Sequence, residues 1–217
     1  MLIKSNTGVY QTKPLILLGA GGHAKVLLGL IQQCELPIFG ICDPTLWEAN
    51  IKEWNGLPVL GDDSFLDSRK FNNFDLVLGV GQLVGSKLRK TIYQRFTEMG
   101  FTFPNLIHPT AFVDPSVSLN KGVQVMAGAV IQPGVIIGEN VIVNTSASID
   151  HDCKIDAHVH IAPGATLCGG VQIESEVFIG AGSTIIQEIS IGHGSVVTAG
   201  SLLSSNLPPY QKTKKRI

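Results

Sequence analysis

Histidine and aspartate residues cluster between Asp150 and His160, in a segment otherwise rich in Ile, Val, Ala and Ser. His151 is followed directly by Asp152, and His158 comes shortly before His160. Histidine is the natural general base near neutral pH, and a neighbouring carboxylate raises its basicity and fixes its tautomer. The pair therefore predicts a base at His151 supported by Asp152. The alternative is a set of surface histidines without a chemical role.

A second group of candidate residues lies near the start of the chain. Gly19-x-Gly21-x-x-Ala24 follows a short apolar run and opens a stretch with helical spacing. Glycines there let the backbone approach a phosphate, and the N-terminus of a helix favours negative charge. Asp43 ends the next predicted strand, about where an acidic residue binds a ribose hydroxyl. The pattern predicts a phosphate-containing ligand. The alternative is a glycine turn that serves only strand–helix packing.

NAD is a poor candidate for that ligand. The region has room for only about half of a doubly wound fold, and His23 stands where a pyrophosphate turn should be bare. Apolar runs alternate with helical spacing along this part of the chain, which predicts a small Rossmann-like parallel sheet with helices. The predicted strands are 14–18, 37–42 and 75–81, with a short element at 56–61 and helices at 26–31 and 86–99.

The second half of the chain repeats every six residues from Ile107 to Leu202. The first residue of all sixteen hexads is Ile, Val or Leu, and the fifth is mostly Ala, Val, Ser or Cys. This period matches neither a helix nor an open sheet, so the chain must turn a corner in every hexad. The repeat predicts a parallel β-helix with 18 residues per coil, an aliphatic residue inside each corner and a small residue inside the next flat face.

Composition excludes several classes of function. A net charge of −1 gives no electrostatic basis for binding nucleic acid. No apolar run approaches the ~20 residues of a membrane span, and the N-terminus lacks the apolar core of a signal peptide.

The four cysteines show no pair spacing, which suggests reduced thiols in a cytoplasmic protein. We expect domains at 1–105 and 106–203 and a tail at 204–217 that covers the last coil.

Three short motifs carry a resemblance to a known family. They are Gly19–His23, Leu106–Pro109 and the run from Asn144 through His151-Asp152 to His160. Together with the hexads, they resemble the bacterial sugar acetyltransferases of the sialic acid O-acetyltransferase-like group, in particular the UDP-4-amino-sugar N-acetyltransferases of bacillosamine-type glycan pathways. The resemblance implies a left-handed β-helix, acetyl-CoA as co-substrate, and a homotrimer with its active sites at subunit interfaces.

The resemblance also implies roles for individual residues. His151 would be the catalytic base, and Asp152 would raise its basicity. The residues that would contact acetyl-CoA are His160, Gly169, Ala181 and Ala199. The residues that would hold the phosphates of a sugar nucleotide are Gly21, Gly22 and His23. The residues that would line its uracil–ribose end are Asp43 and Gly81.

The expected function is acetyl-CoA-dependent N-acetylation of the 4-amino group of a UDP-linked deoxy-amino sugar. Two alternatives remain: an O-acetyltransferase acting on a sialic acid-type sugar with the same machinery, and a non-catalytic trimeric module that binds nucleotides. We expect no metal, because His151, His158 and His160 lack a further histidine one coil away that would complete a zinc site.

Overall fold

The computed structural model describes residues 13–67 and 73–213. The first part forms a five-stranded sheet in the order β3-β4-β2-β1-β5. Its strands are β1 (Leu15–Leu18), β2 (Ile38–Cys42), β3 (Glu53–Trp54), β4 (Leu57–Gly61) and β5 (Asp75–Leu78). The pairs β1–β2, β1–β5 and β2–β4 are parallel, which confirms the predicted Rossmann-like sheet.

One edge of this sheet differs from the prediction, because β3 runs antiparallel to β4. The two strands are joined by Asn55 and Gly56, whose φ angles are 47° and 81°. Positive φ at both residues of a two-residue loop is what a tight hairpin requires, and Asn-Gly adopts it readily. The sheet is therefore mixed rather than wholly parallel.

Three α-helices lie along the first part of the chain: α1 (Gly22–Gln33), α2 (Pro44–Glu48) and α3 (Leu88–Glu98), with a short 3₁₀ helix at Asp63–Leu66. Helix α1 buries Leu27, Leu30 and Ile31 along one face, at the three- and four-residue spacing of an amphipathic helix. Helix α2 was not predicted. Pro44 occupies its first turn, and the Asp43 carboxylate accepts a hydrogen bond from Leu46 N at 2.9 Å, which caps the helix.

The second part of the chain is a β-helix of two-residue strands. Each strand pairs in parallel with the strand 18 residues later, as Ile142 does with His160. This pairing stacks the strands into three sheets, typical of a left-handed β-helix. The strands are β6 (Leu106–Ile107), β7 (Phe112–Val113), β8 (Ser118–Leu119), β9 (Gln124–Val125), β10 (Val130–Ile131), β11 (Ile136–Ile137), β12 (Ile142–Val143), β13 (Ser148–Ile149), β14 (Lys154–Ile155), β15 (His160–Ile161), β16 (Thr166–Leu167), β17 (Gln172–Ile173), β18 (Phe178–Ile179), β19 (Thr184–Ile185), β20 (Ser190–Ile191), β21 (Val196–Val197) and β22 (Leu202–Leu203).

The three sheets are the three faces of the triangular coil. We call the sheet from β6 to β21 face 1, the sheet from β7 to β22 face 2, and the sheet from β8 to β20 face 3. The chain passes from face 1 to face 2 to face 3 and back to face 1 in every coil. Face 1 therefore lies opposite the corner that joins faces 2 and 3.

The aliphatic repeat residues occupy the flat faces, so the prediction that they fill the corners was wrong. Ile149 and Ile161 are the second residues of β13 and β15, and both are fully buried. The turns fall on the third and fourth hexad residues. From Gly122 to Gly200, the fourth residue of every hexad has positive φ, and the chain turns there from one face to the next. The small fifth residue comes directly after the turn, where there is little interior space.

The sheet domain packs against face 1 of the β-helix. Met126 and Ile142 share one apolar cluster with Leu27 and Leu30 of α1. On the other side of the contact, Lys90 of α3 forms a 2.6 Å ion pair with a glutamate of the β-helix, Glu176. These contacts hold the glycine turn of the first domain beside the outer surface of the coil.

The end of the described chain lies on the last coils. Leu207 bridges to Ile191, Lys212 bridges to Val196, and the Ser195 hydroxyl donates to Pro208 O at 2.7 Å. The basic residues from position 214 onwards lie outside the described residues. No disulfide joins any of the four cysteines. None of the helices in the described part of the chain has the length and hydropathy of a membrane span.

Close stacking of the coils predicts opposite effects of alanine at two glycines. A Cβ at Gly138 would lie 2.5 Å from Ala157 N on the next coil, whereas a Cβ at Gly29 in α1 would meet nothing within 4 Å. We expect Gly138→Ala to lower the free energy of unfolding by about 1–3 kcal/mol through overpacking. We expect Gly29→Ala to raise it by about 0.5–1 kcal/mol through helix propensity. Urea unfolding checks both, and an unchanged stability of Gly138→Ala would contradict the stacking.

Candidate active site

His151 and Asp152 form the turn between β13 and β14, at the corner of faces 2 and 3. His151 Nδ1 lies 2.8 Å from Asp152 Oδ2, and the His151 amide donates to Asp150 Oδ1 at 2.8 Å. Because a carboxylate only accepts, the imidazole proton sits on Nδ1 and Nε2 keeps its lone pair. The hydrogen bond to Asp152, with the negative charge of Asp150, raises the pKa of His151. The arrangement orients the imidazole and leaves Nε2 as its hydrogen-bond acceptor.

Two glycines make room for this pair. A Cβ at Gly169, one coil further along, would lie 2.6 Å from His151 Nε2, although the φ of Gly169 needs no glycine. A Cβ at Gly134, one coil earlier, would lie 2.6 Å from Asp152 Oδ1. The structure thus brings the predicted Gly169 against the His151 ring. Gly134 was not singled out from the sequence, because it holds the fourth hexad position, where glycine recurs along the repeat.

His151 faces open space. Its side chain is 60% exposed and lines a cavity of about 540 Å³. Gly169 lines the same cavity, which continues along the corner towards the C-terminal coils, past Asp150, Cys168, Gly170, Gln187 and Glu188. The imidazole is therefore accessible from solvent.

His160 lies on β15 of face 1, on the opposite side of the coil from His151. It is buried, and its ring stacks on that of Phe178 with 4.9 Å between centroids. Burial, assisted by His23 and Arg89, lowers the pKa of His160 to about 3, so the ring is neutral. Its Nδ1 is buried without a hydrogen-bond partner among the described residues.

The other residues expected to contact acetyl-CoA also lie on two different sides of the coil. Ala181 and Ala199 lie one above the other at the corner of faces 1 and 2, where Gly200 N donates to Ala181 O at 2.8 Å, and both are exposed. They lie on the His160 side of the coil, whereas Gly169 lies with His151. One protomer therefore keeps the expected cofactor residues in two separate sets.

The glycine turn stands at a crevice in the first domain. Strand order reverses at β1, so the C-terminal ends of β1 and β5 form the point where open α/β sheets bind ligands. Gly21 and Gly22 are exposed there, and a Cβ on either would meet nothing within 4 Å. Helix α1 begins at Gly22 with no side-chain cap and no acidic residue in its first turn. Its free amide groups can bind an anion.

Asp43, His23 and Gly81 surround this turn. Asp43 Oδ2 accepts a hydrogen bond from Ala20 N at 2.8 Å, so the carboxylate braces the turn while its other oxygen caps α2. A Cβ at Gly81 would lie 3.2 Å from His23 Cβ, so these two residues are in contact. His23 Nε2 lies 2.8 Å from Oε1 of Gln124 on face 1. Sequence analysis missed Gln124; its only signal is a polar residue at an outward repeat position.

The three histidines that were candidate zinc ligands lie in different parts of the coil. His151 is at the corner of faces 2 and 3, His158 at the corner of faces 3 and 1, and His160 on face 1. His158 has a structural environment, with Nδ1 3.0 Å from Asn140 Nδ2 and its ring edge against Tyr93. Within residues 13–67 and 73–213, no group of three or more His, Cys, Asp or Glu side chains could hold a metal ion.

Comparison with known proteins gives matches to both halves of the chain. Residues 14–96 match the family described as PglD N-terminal domain, and residues 134–169 match bacterial transferase hexapeptide (six repeats). The acetyltransferase domain of PglB from Neisseria gonorrhoeae FA1090 is 36% identical, with a TM-score of 0.84 over 91% of this chain and 94% of that one. The chain belongs to this family of sugar acetyltransferases.

Two further solved structures support the assignment. The same PglB domain in complex with acetyl coenzyme A is similar to this acetyltransferase with a TM-score of 0.83. GDP-perosamine N-acetyl transferase from Caulobacter crescentus is 34% identical, with a TM-score of 0.82 over 90% of each chain. It has also been solved in complex with CoA and GDP-perosamine. The resemblance noted from the sequence is confirmed.

A curated relative matches over a shorter stretch. Acyl-[acyl-carrier-protein]–UDP-N-acetylglucosamine O-acyltransferase from Helicobacter pylori (strain Shi470) is 37% identical over 60 residues. These residues make up 28% of this chain, and the chain spans only 22% of the length of that relative.

The geometry at the corner predicts how the base titrates. The substitution Asp152→Asn replaces the carboxylate that favours imidazolium with a neutral amide. The pKa of His151 should therefore fall towards the ordinary value of about 6.5. NMR titration of the His151 Cε1 proton measures the change. Asp156→Asn, an exposed carboxylate in the next hexad, is the matched control and should leave the pKa unchanged. An unaltered pKa in Asp152→Asn would show that the pair is not coupled.

Proposed function

We propose that this acetyltransferase transfers the acetyl group of acetyl-CoA to the 4-amino group of a nucleotide-linked deoxy-amino sugar, with UDP as the nucleotide. The observation that carries the proposal is the exposed His151, whose Nδ1–H is bound to Asp152 and whose Nε2 faces the cavity against Gly169. The similarity to a GDP-perosamine N-acetyltransferase supports an amino sugar as acceptor.

The chemistry that this geometry supports is direct acyl transfer. The amine nitrogen attacks the thioester carbonyl carbon, and His151 Nε2 takes the proton that the nitrogen loses as the N–C bond forms. The tetrahedral intermediate then collapses with cleavage of the C–S bond. The proton held by His151 passes to the departing thiolate, so the products are an amide and CoA. Much of the acceleration comes from holding both substrates in one groove.

Completion of the site requires two protomers. His151 and His160 project from opposite sides of one coil, so a single protomer cannot place both against the same thioester. In a cyclic trimer, the corner that bears His151 faces the His160, Ala181 and Ala199 side of the next protomer. Acetyl-CoA then lies in the groove between them. The homotrimer is part of this proposal, as is the cytoplasmic location expected from the sequence.

The sugar nucleotide is assigned to the crevice at the C-terminal ends of β1 and β5. Its phosphates would accept from the free amides at the start of α1, beside Gly21 and Gly22. UDP follows from the sequence resemblance, while a relative is recorded with GDP-perosamine. The decisive assay offers acetyl-CoA with UDP- and GDP-linked 4-amino sugars, and with sialic acid for the O-acetyltransferase alternative. Transfer to none of these acceptors would favour the non-catalytic module.

Removal of the base should abolish most of the turnover. We expect His151→Ala to lower kcat by about 10²–10⁴-fold, because a positioned general base contributes that much. Steady-state kinetics measures the loss, and a thermal melt shows that the exposed substitution leaves the fold intact. His193→Ala, at the corner of faces 3 and 1, is the control and should retain near-normal turnover. Full activity of His151→Ala would exclude the assignment.

Mixing two inactive variants tests whether the site is shared between protomers. His151→Ala and His160→Ala should each be inactive alone. Co-assembled in equal amounts, they should regain roughly a quarter of the wild-type sites, because one interface in each mixed trimer pairs an intact His151 with an intact His160. Activity of the whole co-assembled mixture measures this. No recovery in trimers shown to be mixed would mean that both histidines act within one protomer.

A further inference from the structure

Gln124 is a buried polar residue at an otherwise apolar position of the domain interface. It is 3% exposed, and its neighbours one coil away on face 1 are Leu106 and Ile142. Gln124 Nε2 donates to Leu78 O, at the end of β5, at 3.1 Å. A carbonyl oxygen can only accept, so the NH₂ end of the amide is held there and Oε1 must point the other way.

Oε1 points at His23. It lies 2.8 Å from His23 Nε2, and because an amide oxygen only accepts, His23 must carry a proton on Nε2. Burial, with the positive charge of Arg89, lowers the pKa of His23 to about 4, so the ring is neutral at pH 7. Nδ1 therefore presents a bare lone pair, and no hydrogen bond joins it to any residue in the described ranges.

The surroundings of His23 keep it in this state. Arg89 on α3 is buried and cationic, His160 on β15 is neutral, and Gly81 packs against the Cβ of His23. None of the groups that shift its pKa is a carboxylate. Arg89 is itself held by the carbonyl oxygens of Leu78 and Val80, at 3.1 and 2.7 Å. Leu78 O thus accepts from both Arg89 and Gln124.

We propose that Gln124 is a positioning residue that holds His23 in the Nε2–H form, so that Nδ1 accepts a hydrogen bond from the bound sugar nucleotide. This inference rests on the proposed function and goes further into the same site. Phosphate diesters carry no proton at neutral pH and cannot donate, so the group at Nδ1 is a hydroxyl or N–H of the nucleoside or the sugar. The phosphates are left to the amides of α1. His23 then contacts the nucleoside or the sugar, whereas the sequence predicted a contact with the phosphates.

The tautomer can be measured without a ligand. In protein labelled with ¹⁵N-histidine, two-bond ¹H–¹⁵N spectra distinguish Nε2–H from Nδ1–H. We expect His23 to appear as Nε2–H and to stay neutral from pH 8 down to pH 5.5. An Nδ1–H tautomer, or titration near the ordinary histidine value, would overturn the inference. This NMR measurement needs only the wild-type chain, so it tests the inference even if a variant fails to fold.

The role in binding is tested with Gln124→Glu. A carboxylate at position 124 accepts a hydrogen bond from His23 Nε2 and favours the imidazolium form of His23. Nδ1 of His23 then carries a proton, so it can no longer accept the hydrogen bond that the ligand donates. KM for the amino-sugar nucleotide that the wild type acetylates should rise about tenfold at pH 7, with kcat changed less. KM should recover as the pH is raised and His23 loses that proton. Unchanged KM and pH dependence would overturn the acceptor role.

Gln172→Glu is the matched control, since Gln172 holds the same hexad position but is exposed on face 3. It should leave KM unchanged. The two proposals fail separately. If His23 is the Nε2–H tautomer but no acetyl transfer occurs, the proposed function is excluded and the positioning role of Gln124 is supported. If acetyl transfer occurs but His23 is the Nδ1–H tautomer, the positioning role is excluded and the proposed function is supported.

Discussion

The register of 18 residues between coils is the constraint on which the rest of the structure depends. Backbone hydrogen bonds join each coil to the next, as His160 N does to Val177 O at 3.0 Å and Gly170 N to His151 O at 2.9 Å. Every outward side chain is therefore packed between its equivalents one coil above and below. A functional side chain at a corner needs a neighbour small enough to leave it room, and Gly169 and Gly134 meet that need for His151 and Asp152.

The same register separates three histidines into different chemical environments. His151 stands on an exposed corner beside two carboxylates, and its pKa is raised. His160 and His23 lie at the contact between the domains, where burial lowers their pKa values to about 3 and about 4. An imidazole in water next to a carboxylate can accept a substrate proton, whereas a buried neutral one is restricted to hydrogen bonding. Environment, not residue type, distinguishes His151 from the other two histidines.

Much of the architecture was predictable, because the repeat leaves a direct trace in the chain. The β-helix, the Rossmann-like sheet and the helix after the glycine turn were confirmed. Among the local details that were wrong or missed, two have clear physical reasons. A six-residue period shows that a corner recurs but not which hexad residue occupies it, so the aliphatic residues were misplaced. The Asn55-Gly56 hairpin was overlooked because the strands it joins are short and were masked by the surrounding α/β pattern.

The sequence by itself determined the repeat, the glycine turn at a helix start and the adjacency of His151 and Asp152, since each depends on residues close together in the chain. Only the tertiary structure decided that Gly169 lies against His151, that His160 projects from the opposite side of the coil, and that Gln124 contacts His23 across 101 positions of sequence. These relations depend on which residues the 18-residue register stacks and on which face the first domain packs against. Neither leaves a signal within a single stretch of chain.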